Sequence, residues 1–73
     1  MIGVLVFPGF QLLDAAGPIS VFEIAARFAG MPPSIRVVAA APGPVRSSSG
    51  VEMVARGLKP SGAISTLIVA GGF

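Results

Sequence analysis

Three short runs of the chain are almost uniformly apolar and lack the polar residue at every second position that a half-exposed strand shows. They cover residues 2–7, 35–41 and 66–70, and only the second carries a charge, at Arg36. Strands buried on both faces give this pattern, as in a parallel sheet covered by helices. We therefore predict three buried strands of an α/β sheet, with residues 58–64 as an irregular connection into the third.

A helical pattern separates the first two runs. Pro18 suits the first turn of a helix, where its missing N–H costs nothing, and Pro32-Pro33 end the pattern, so we predict a helix over residues 18–29. Glu23 and Arg27 have the i,i+4 spacing of a solvated ion pair. Apolar residues flank this polar stripe on both sides. We therefore expect the sheet to cover one side of the helix and a second subunit or a further segment to cover the other.

Residues 43–54 predict a β-hairpin. Apolar and polar residues alternate on both arms, and Ser47-Ser48-Ser49-Gly50 is typical of a turn. The expected register places Val45 opposite Val51 or Met53.

The composition leaves too few charges to cover a free-standing surface. Charged residues make up 11% of the 73 residues and apolar residues 53%, whereas an ordinary soluble domain has about 25% charged residues. We expect much of this chain to be covered by polypeptide outside it. No apolar run approaches the roughly 20 residues of a membrane span, and the N-terminus lacks the basic start of a signal peptide. We therefore expect a cytoplasmic protein without membrane contact.

Charge and residue types exclude several functions for this segment. The net charge is only +2 and the five basic residues are dispersed, so we expect no nucleic-acid binding by the segment itself. The chain contains no cysteine and no histidine, hence no thiolate nucleophile, no imidazole base and no soft metal ligand. Ser47, Ser48 and Ser49 have no basic partner and are poor candidates for a nucleophile. We expect no metal and no cofactor.

The residue that most resembles part of a site is Asp14. It is one of three acids and lies within the apolar segment 10–18, where a strand gives way to a helix. A carboxylate there either caps a helix beginning near Gly17-Pro18 or belongs to a binding site. Gly71-Gly72 and Pro8-Gly9 each follow an apolar run. Both pairs are either turns or places where the main chain closely approaches a ligand.

Five motifs, taken in order, carry a resemblance to a known family. They are Val6-Phe7-Pro8-Gly9-Phe10, Leu13-Asp14 followed by Gly17-Pro18, Val21-Phe22-Glu23, Gly43-Pro44-Val45-Arg46 with Ser49-Gly50, and Leu67-Ile68-Val69-Ala70-Gly71-Gly72. Over essentially all 73 residues the chain resembles the N-terminal part of the ThiJ/PfpI family, also called the class I glutamine amidotransferase-like superfamily. More narrowly, it is similar to the sensor domain of GlxA-like, AraC-type transcriptional regulators. The resemblance implies a flavodoxin-like three-layer α/β sandwich of which residues 1–73 are an N-terminal fragment.

The resemblance also implies roles for the candidate residues. In enzymes of that family the nucleophile is a cysteine that follows the Gly-Gly segment, and an acidic residue lies beside its sulfur. Asp14 matches the acid, which must be protonated in an apolar pocket if it is to donate a hydrogen bond to a thiolate. Gly71 and Gly72 match glycines whose N–H groups face a substrate oxygen. Pro8 and Gly9 would line the mouth of the same pocket.

Three functions are compatible with these residues. The one that the resemblance favours is the ligand-sensing and dimerising domain of a regulator, with an unknown small-molecule ligand and with DNA bound only through a helix-turn-helix region beyond residue 73. The alternative is a fragment of an isonitrile hydratase or of an amidase-like or protease-like hydrolase whose cysteine lies beyond residue 73. The third is a structural α/β fragment. Residues 13–19 fit both of the first two, and we expect the isolated segment to be catalytically inactive.

The third predicted strand would lie at the centre of the complete family sheet. In the 73-residue chain its edge would be apolar and unpaired, which favours association through strands. We therefore expect a homo-oligomer.

Overall fold

The computed structural model describes residues 1–58 and 64–72. Of the predicted connection over residues 58–64, only the two end residues fall within these ranges. The described residues form one helix and five strands: β1 (Ile2–Leu5), α1 (Leu12–Phe28), β2 (Ile35–Ala39), β3 (Gly43–Arg46), β4 (Glu52–Gly57) and β5 (Thr66–Val69). The predicted α/β class, with one main helix and a hairpin, is confirmed.

The five strands form one mixed sheet in the order β3-β4-β2-β1-β5. β1 lies between β2 and β5 and is parallel to both, which confirms the three predicted strands and their parallel arrangement. β4 adds a fourth parallel strand, because Val38 and Ala39 of β2 pair with Arg56 and Gly57. The apolar pattern did not indicate this pairing, since β4 alternates between polar and apolar residues.

β3 and β4 form the predicted hairpin. They are antiparallel, and Val45 pairs with Met53, one of the two expected registers. The turn is closed by hydrogen bonds from the N–H of Ser47 to the carbonyl of Val51 and from the N–H of Gly50 to the carbonyl of Ser47. Gly50 has a φ of +90°, a conformation that favours glycine.

The start of α1 corrects the predicted helix. α1 begins at Leu12 rather than near Gly17-Pro18, because the side-chain oxygen of Gln11 accepts hydrogen bonds from the N–H groups of Leu13 (2.8 Å) and Asp14 (3.2 Å). These bonds satisfy donors that have no partner within the helix. Pro18 therefore lies inside α1, where it cannot donate to the carbonyl of Asp14 four positions earlier.

The polar face of α1 carries the expected ion pair. The guanidinium of Arg27 lies 3.0 Å from the carboxylate of Glu23 at the exposed surface. Such exposed pairs contribute about 0.3–0.5 kcal/mol, so this one decides little about the fold.

The core lies between α1 and one face of the sheet. Its buried residues come from the helix, the strands and the segments that follow β1 and β5: Val4, Val6, Phe10, Ala15, Ala39, Val45, Ala55 and Ala70. Phe10 is fully buried, and its main chain bridges Ser47 on one side and Gly72 on the other. The segment that follows β1 thus joins the hairpin to the end of β5.

Both outer surfaces of these two layers expose apolar side chains. On α1 the exposed residues recur at helical spacing and are Leu13, Val21, Ile24 and Phe28. On the sheet face opposite α1 they are Val54, Leu67 and Val69. Side chains alternate between the two faces of a strand, and Ile68 packs against the core on the α1 side. Its neighbours Leu67 and Val69 therefore lie on the face away from α1.

Candidate functional site

Asp14 and Gly71 meet where two neighbouring parallel strands end. Asp14 lies in the first turn of α1, just beyond the carboxyl end of β1, and Gly71 follows β5. A carboxylate oxygen of Asp14 accepts a hydrogen bond from the N–H of Gly71 at 3.0 Å. Ligands of open α/β sheets bind at the carboxyl ends of the strands, so this contact lies in the part of the fold that carries function in other proteins.

Asp14 is not the helix cap that one interpretation of the sequence expected. The cap is Gln11, to whose side chain the N–H of Asp14 itself donates. The carboxylate of Asp14 is directed instead at the main chain of Gly71, and the described residues leave Asp14 exposed.

Gly71 is in close contact with the start of α1 through both of its main-chain polar groups. Its N–H is bound by Asp14, and its carbonyl accepts a hydrogen bond from the N–H of Gln11 at 2.8 Å. A Cβ at this position would lie 2.6 Å from the Asp14 carboxylate, closer than real Cβ contacts allow. In this arrangement the N–H of Gly71 is bound to Asp14 and not to an oxygen of a ligand.

Gly72 offers a different main-chain group. It forms an antiparallel bridge with Phe10, and a Cβ there would lie 3.0 Å from the ring of Phe7. Within residues 1–58 and 64–72 its N–H donates no hydrogen bond. Of the two glycines, Gly72 is thus the one whose N–H has no acceptor among residues 1–58 and 64–72.

Pro8 and Gly9 form a tight turn. The N–H of Phe10 donates to the carbonyl of Phe7 at 3.0 Å, and Gly9 has a φ of +86°. The N–H of Gly9 donates to the carbonyl of Arg46 at 2.8 Å, which fixes the turn against the hairpin. Pro8 and Gly9 thus lie in a turn, and their role at the mouth of a ligand pocket stays a prediction.

A cleft of about 630 Å³ lies on the hairpin side of this turn. The end of β1 with Phe7 and Pro8, the end of β2 with the loop after it, and the hairpin form its largely apolar walls. Arg46 and Glu52, paired across the hairpin, are the charged residues that line it. Small-molecule sites have volumes of about 300–1,000 Å³ and few polar groups, so the cleft has the size and lining of one.

The predicted site residues thus divide between two places. Pro8 lines the cleft, whereas Asp14, Gly71 and Gly72 lie at the ends of β1 and β5. Sequence reasoning missed the cleft, because the segments that form its walls lie far apart in the chain.

The described residues offer no cluster for a metal ion. Within residues 1–58 and 64–72, no group of three or more acidic, histidine or cysteine side chains is close enough together to hold one.

Ser47 and Ser49 hydrogen-bond to each other at 2.9 Å. In the same part of the chain, no helix has both the length and the apolar character needed to span a membrane.

Comparison with known proteins gives one informative similarity. No protein-family model matches the chain. The chain is similar to a Streptomyces lividans protein described as "Uncharacterized protein in cpoL 5'region", with 44% identity over 70 residues. The match covers 94% of this chain and 49% of that protein, so the chain spans about half the length of the curated relative that it matches.

Proposed function

We propose that residues 1–73 are the N-terminal part of a ThiJ/PfpI-like domain that senses a small molecule in a cytoplasmic, dimeric AraC-type transcriptional regulator. In this proposal further polypeptide completes a flavodoxin-like three-layer sandwich. A separate helix-turn-helix region of the same protein contacts DNA. The 73 residues alone neither bind DNA nor catalyse a reaction, and neither a metal nor a cofactor takes part.

The order of the parallel strands supports the proposed fold. If the hairpin is set aside, β1, β2 and β5 are the first, second and third strands in the chain, and they lie in the order β2-β1-β5. This matches the beginning of the flavodoxin-like order 2-1-3-4-5, in which the ligand binds at the switch point between the first and third strands.

The observation that carries the proposal is the contact between Asp14 and Gly71. It lies at the carboxyl ends of β1 and β5, the two strands that would flank the switch point in the proposed fold. A ligand bound here would meet the exposed carboxylate of Asp14 and the N–H of Gly72. The combination of one acceptor and one main-chain donor favours a small polar molecule that carries both a donor and an acceptor.

The cleft beside Pro8 supplies an apolar surface near the same turn. Pro8 lines the cleft, and Gly9 is bound to the hairpin that forms its other wall. Ligand-induced movement of this turn would therefore reach both the hairpin and the end of β5, which is the coupling that a sensor requires.

One observation favours an enzyme as the second candidate. The N–H of Gly72 has no acceptor within the described residues, as expected for a donor to a substrate oxygen. The 73 residues contain no cysteine or histidine, so in this alternative an isonitrile hydratase, amidase or protease-like hydrolase takes its nucleophile from beyond residue 73.

The test uses the complete reading frame that encodes residues 1–73. A regulator is expected to bind the DNA upstream of its own gene in a gel-shift assay, whereas an enzyme is expected to hydrate cyclohexyl isocyanide or hydrolyse p-nitrophenyl acetate. Asp14→Asn serves as the site variant and Glu23→Gln, on the polar face of α1, as its control. The proposal fails if the reading frame encodes no helix-turn-helix region and its product binds no DNA.

A further inference from the structure

The start of α1 has the two residues of a capping box, but they are joined through Gly71 instead of to each other. The N-cap of α1 is Gln11, so Asp14 is the third residue of the helix. In a capping box the acidic side chain at this position accepts a hydrogen bond from the N–H of the N-cap residue. Here the N–H of Gln11 donates to the carbonyl of Gly71 at 2.8 Å, and the carboxylate of Asp14 accepts from the N–H of Gly71 at 3.0 Å. Both main-chain groups of Gly71 thus lie between the two residues of the box.

The side chain of Gln11 binds donors that would otherwise compete for the Asp14 carboxylate. Its Oε1 accepts hydrogen bonds from the N–H of Leu13 at 2.8 Å and from the N–H of Asp14 at 3.2 Å. The first N–H groups of a helix have no partner inside the helix and attract a nearby carboxylate. Because Gln11 accepts from these two groups and donates its own N–H to Gly71, the Asp14 carboxylate binds a donor outside α1.

Gln11 lies in register with Gly71 because the backbone that leads into α1 is extended. Gln11 has a φ of −82° and a ψ of 119°, and Phe10 before it bridges Gly72 in the antiparallel sense. This pairing directs the N–H of Gln11 at the carbonyl of Gly71. One residue therefore both pairs with the segment after β5 and caps α1.

We propose that Gln11 is a positioning residue of the candidate site, whose side chain keeps the Asp14 carboxylate directed at Gly71 rather than at its own helix. If the side chain is removed, the N–H groups of Leu13 and Asp14 lose their acceptor and the carboxylate turns back toward them. This role deepens the proposed site. It rests on the proposed function only in assuming that a ligand meets Asp14.

Nuclear magnetic resonance of the chain labelled at its glycine nitrogens tests this role. A charge-assisted hydrogen bond moves an amide proton downfield, so the signal of Gly71, one of ten glycines, reports its bond to Asp14. Gln11→Ala is expected to shift this signal at least halfway to its position in Asp14→Ala. Gln11→Asn supplies a side-chain oxygen that favours capping and is expected to restore most of the parent position.

Ile19→Val is the control that separates positioning from a general loss of stability. Ile19 lies in α1 beyond its first turn and packs against the core, so removing one methylene destabilises the chain without touching the cap. The Gly71 signal is expected to keep its parent position in this variant. Circular dichroism checks that each variant is folded.

The cost of Gly71→Ala measures the same role by a second method. In the parent chain a Cβ at residue 71 would lie 2.6 Å from the Asp14 carboxylate, whereas in Gln11→Ala the carboxylate has turned away. The loss of stability caused by Gly71→Ala is therefore expected to fall by at least half in the Gln11→Ala background. Urea denaturation of the four forms measures it.

Three results would each overturn the role of Gln11. They are a Gly71 signal that is the same in the parent chain and in Gln11→Ala, a signal that moves equally in Ile19→Val, and a Gln11→Asn variant that behaves like Gln11→Ala. None of these measurements involves DNA binding or catalysis by the complete reading frame. Failure of the regulator proposal would therefore leave the role of Gln11 standing, and failure of this role would leave the regulator proposal standing.

Discussion

The carboxylate of Asp14 and the N–H of Gly71 are 57 positions apart in the chain and lie 3.0 Å from each other. The bond joins the first turn of α1 to the residues that follow β5. The bond depends on the carboxylate oxygen of Asp14 and on the absence of a Cβ at Gly71, so each residue can be tested by its own substitution.

Gly71→Ala is expected to lower the free energy of unfolding by about 0.5–1.5 kcal/mol, because the exposed side chain of Asp14 can turn away from the added Cβ but then loses its hydrogen bond to the N–H of residue 71. The added Cβ would lie 2.6 Å from the Asp14 carboxylate, so the bond must lengthen or break. Urea denaturation followed by circular dichroism at a fixed protein concentration measures the change.

Gly17→Ala is the matched control for Gly71→Ala. Gly17 lies inside α1, and the nearest atom to an added Cβ is a methyl of Leu13 at 4.0 Å, an ordinary contact. Alanine there is expected to raise the free energy of unfolding by about 0.5–1 kcal/mol through helix propensity. Equal effects of the two substitutions would contradict the close approach of Asp14 to Gly71.

Asp14→Ala is expected to cost about 0.5–1.5 kcal/mol, the net value of one hydrogen bond. Asp14→Asn keeps an acceptor oxygen and is expected to cost less. In the Asp14→Ala background, Gly71→Ala should become less damaging because its closest contact has gone, and a double-mutant cycle measures this coupling. Strict additivity of the two changes would show that the contact contributes nothing.

The apolar runs predicted β1, β2 and β5 as strands, because strands buried between neighbours need apolar residues at successive positions, but among the described residues β5 is exposed at Leu67 and Val69 rather than buried on both faces. The hairpin was predicted because its turn residues, and the alternation of apolar and polar residues along its two arms, can be recognised within a short stretch of sequence. The pairing of Arg56 with Val38 was not predicted, because nothing local in β4 indicates a parallel neighbour.

The candidate site was predicted as a set of residues but not as a set of contacts. Asp14 and Gly71 were both identified, yet their hydrogen bond depends on how β5 packs beside β1, which no local pattern encodes. The cleft could not be predicted from the sequence for the same reason, because its walls come from three separate segments that meet only in the folded chain. The helix start was wrong since glutamine is an uncommon cap and Pro18 is a strong local signal for a first turn.

Gln11→Ala is expected to lower the free energy of unfolding by about 1 kcal/mol, the usual cost of removing a helix cap. The side-chain oxygen of Gln11 accepts hydrogen bonds from Leu13 and Asp14, and both donors would lose a protein partner. Gln11→Asn restores a preferred capping residue and is expected to recover part of the loss. Thermal unfolding of the three forms at one concentration provides the comparison, and an unchanged midpoint for Gln11→Ala would disprove the cap.

Pro18→Ala distinguishes the observed start of α1 from the start that the sequence predicted. Inside a helix, proline removes one hydrogen bond and costs about 3 kcal/mol relative to alanine. The N–H of an alanine at position 18 could donate to the carbonyl of Asp14. Part of this gain is offset, because Pro18 is half-buried and because proline also restricts the unfolded chain.

We expect a net gain of about 1–2 kcal/mol in the free energy of unfolding for Pro18→Ala, measured by urea denaturation. If the helix began at Pro18, the same substitution would remove a favourable first-turn residue and would lower stability. The sign of the change therefore decides between the two helix starts. Because Asp14 contacts Gly71 from within the first turn of α1, a loss of stability in Pro18→Ala would also undermine the placement of Asp14 in the candidate site.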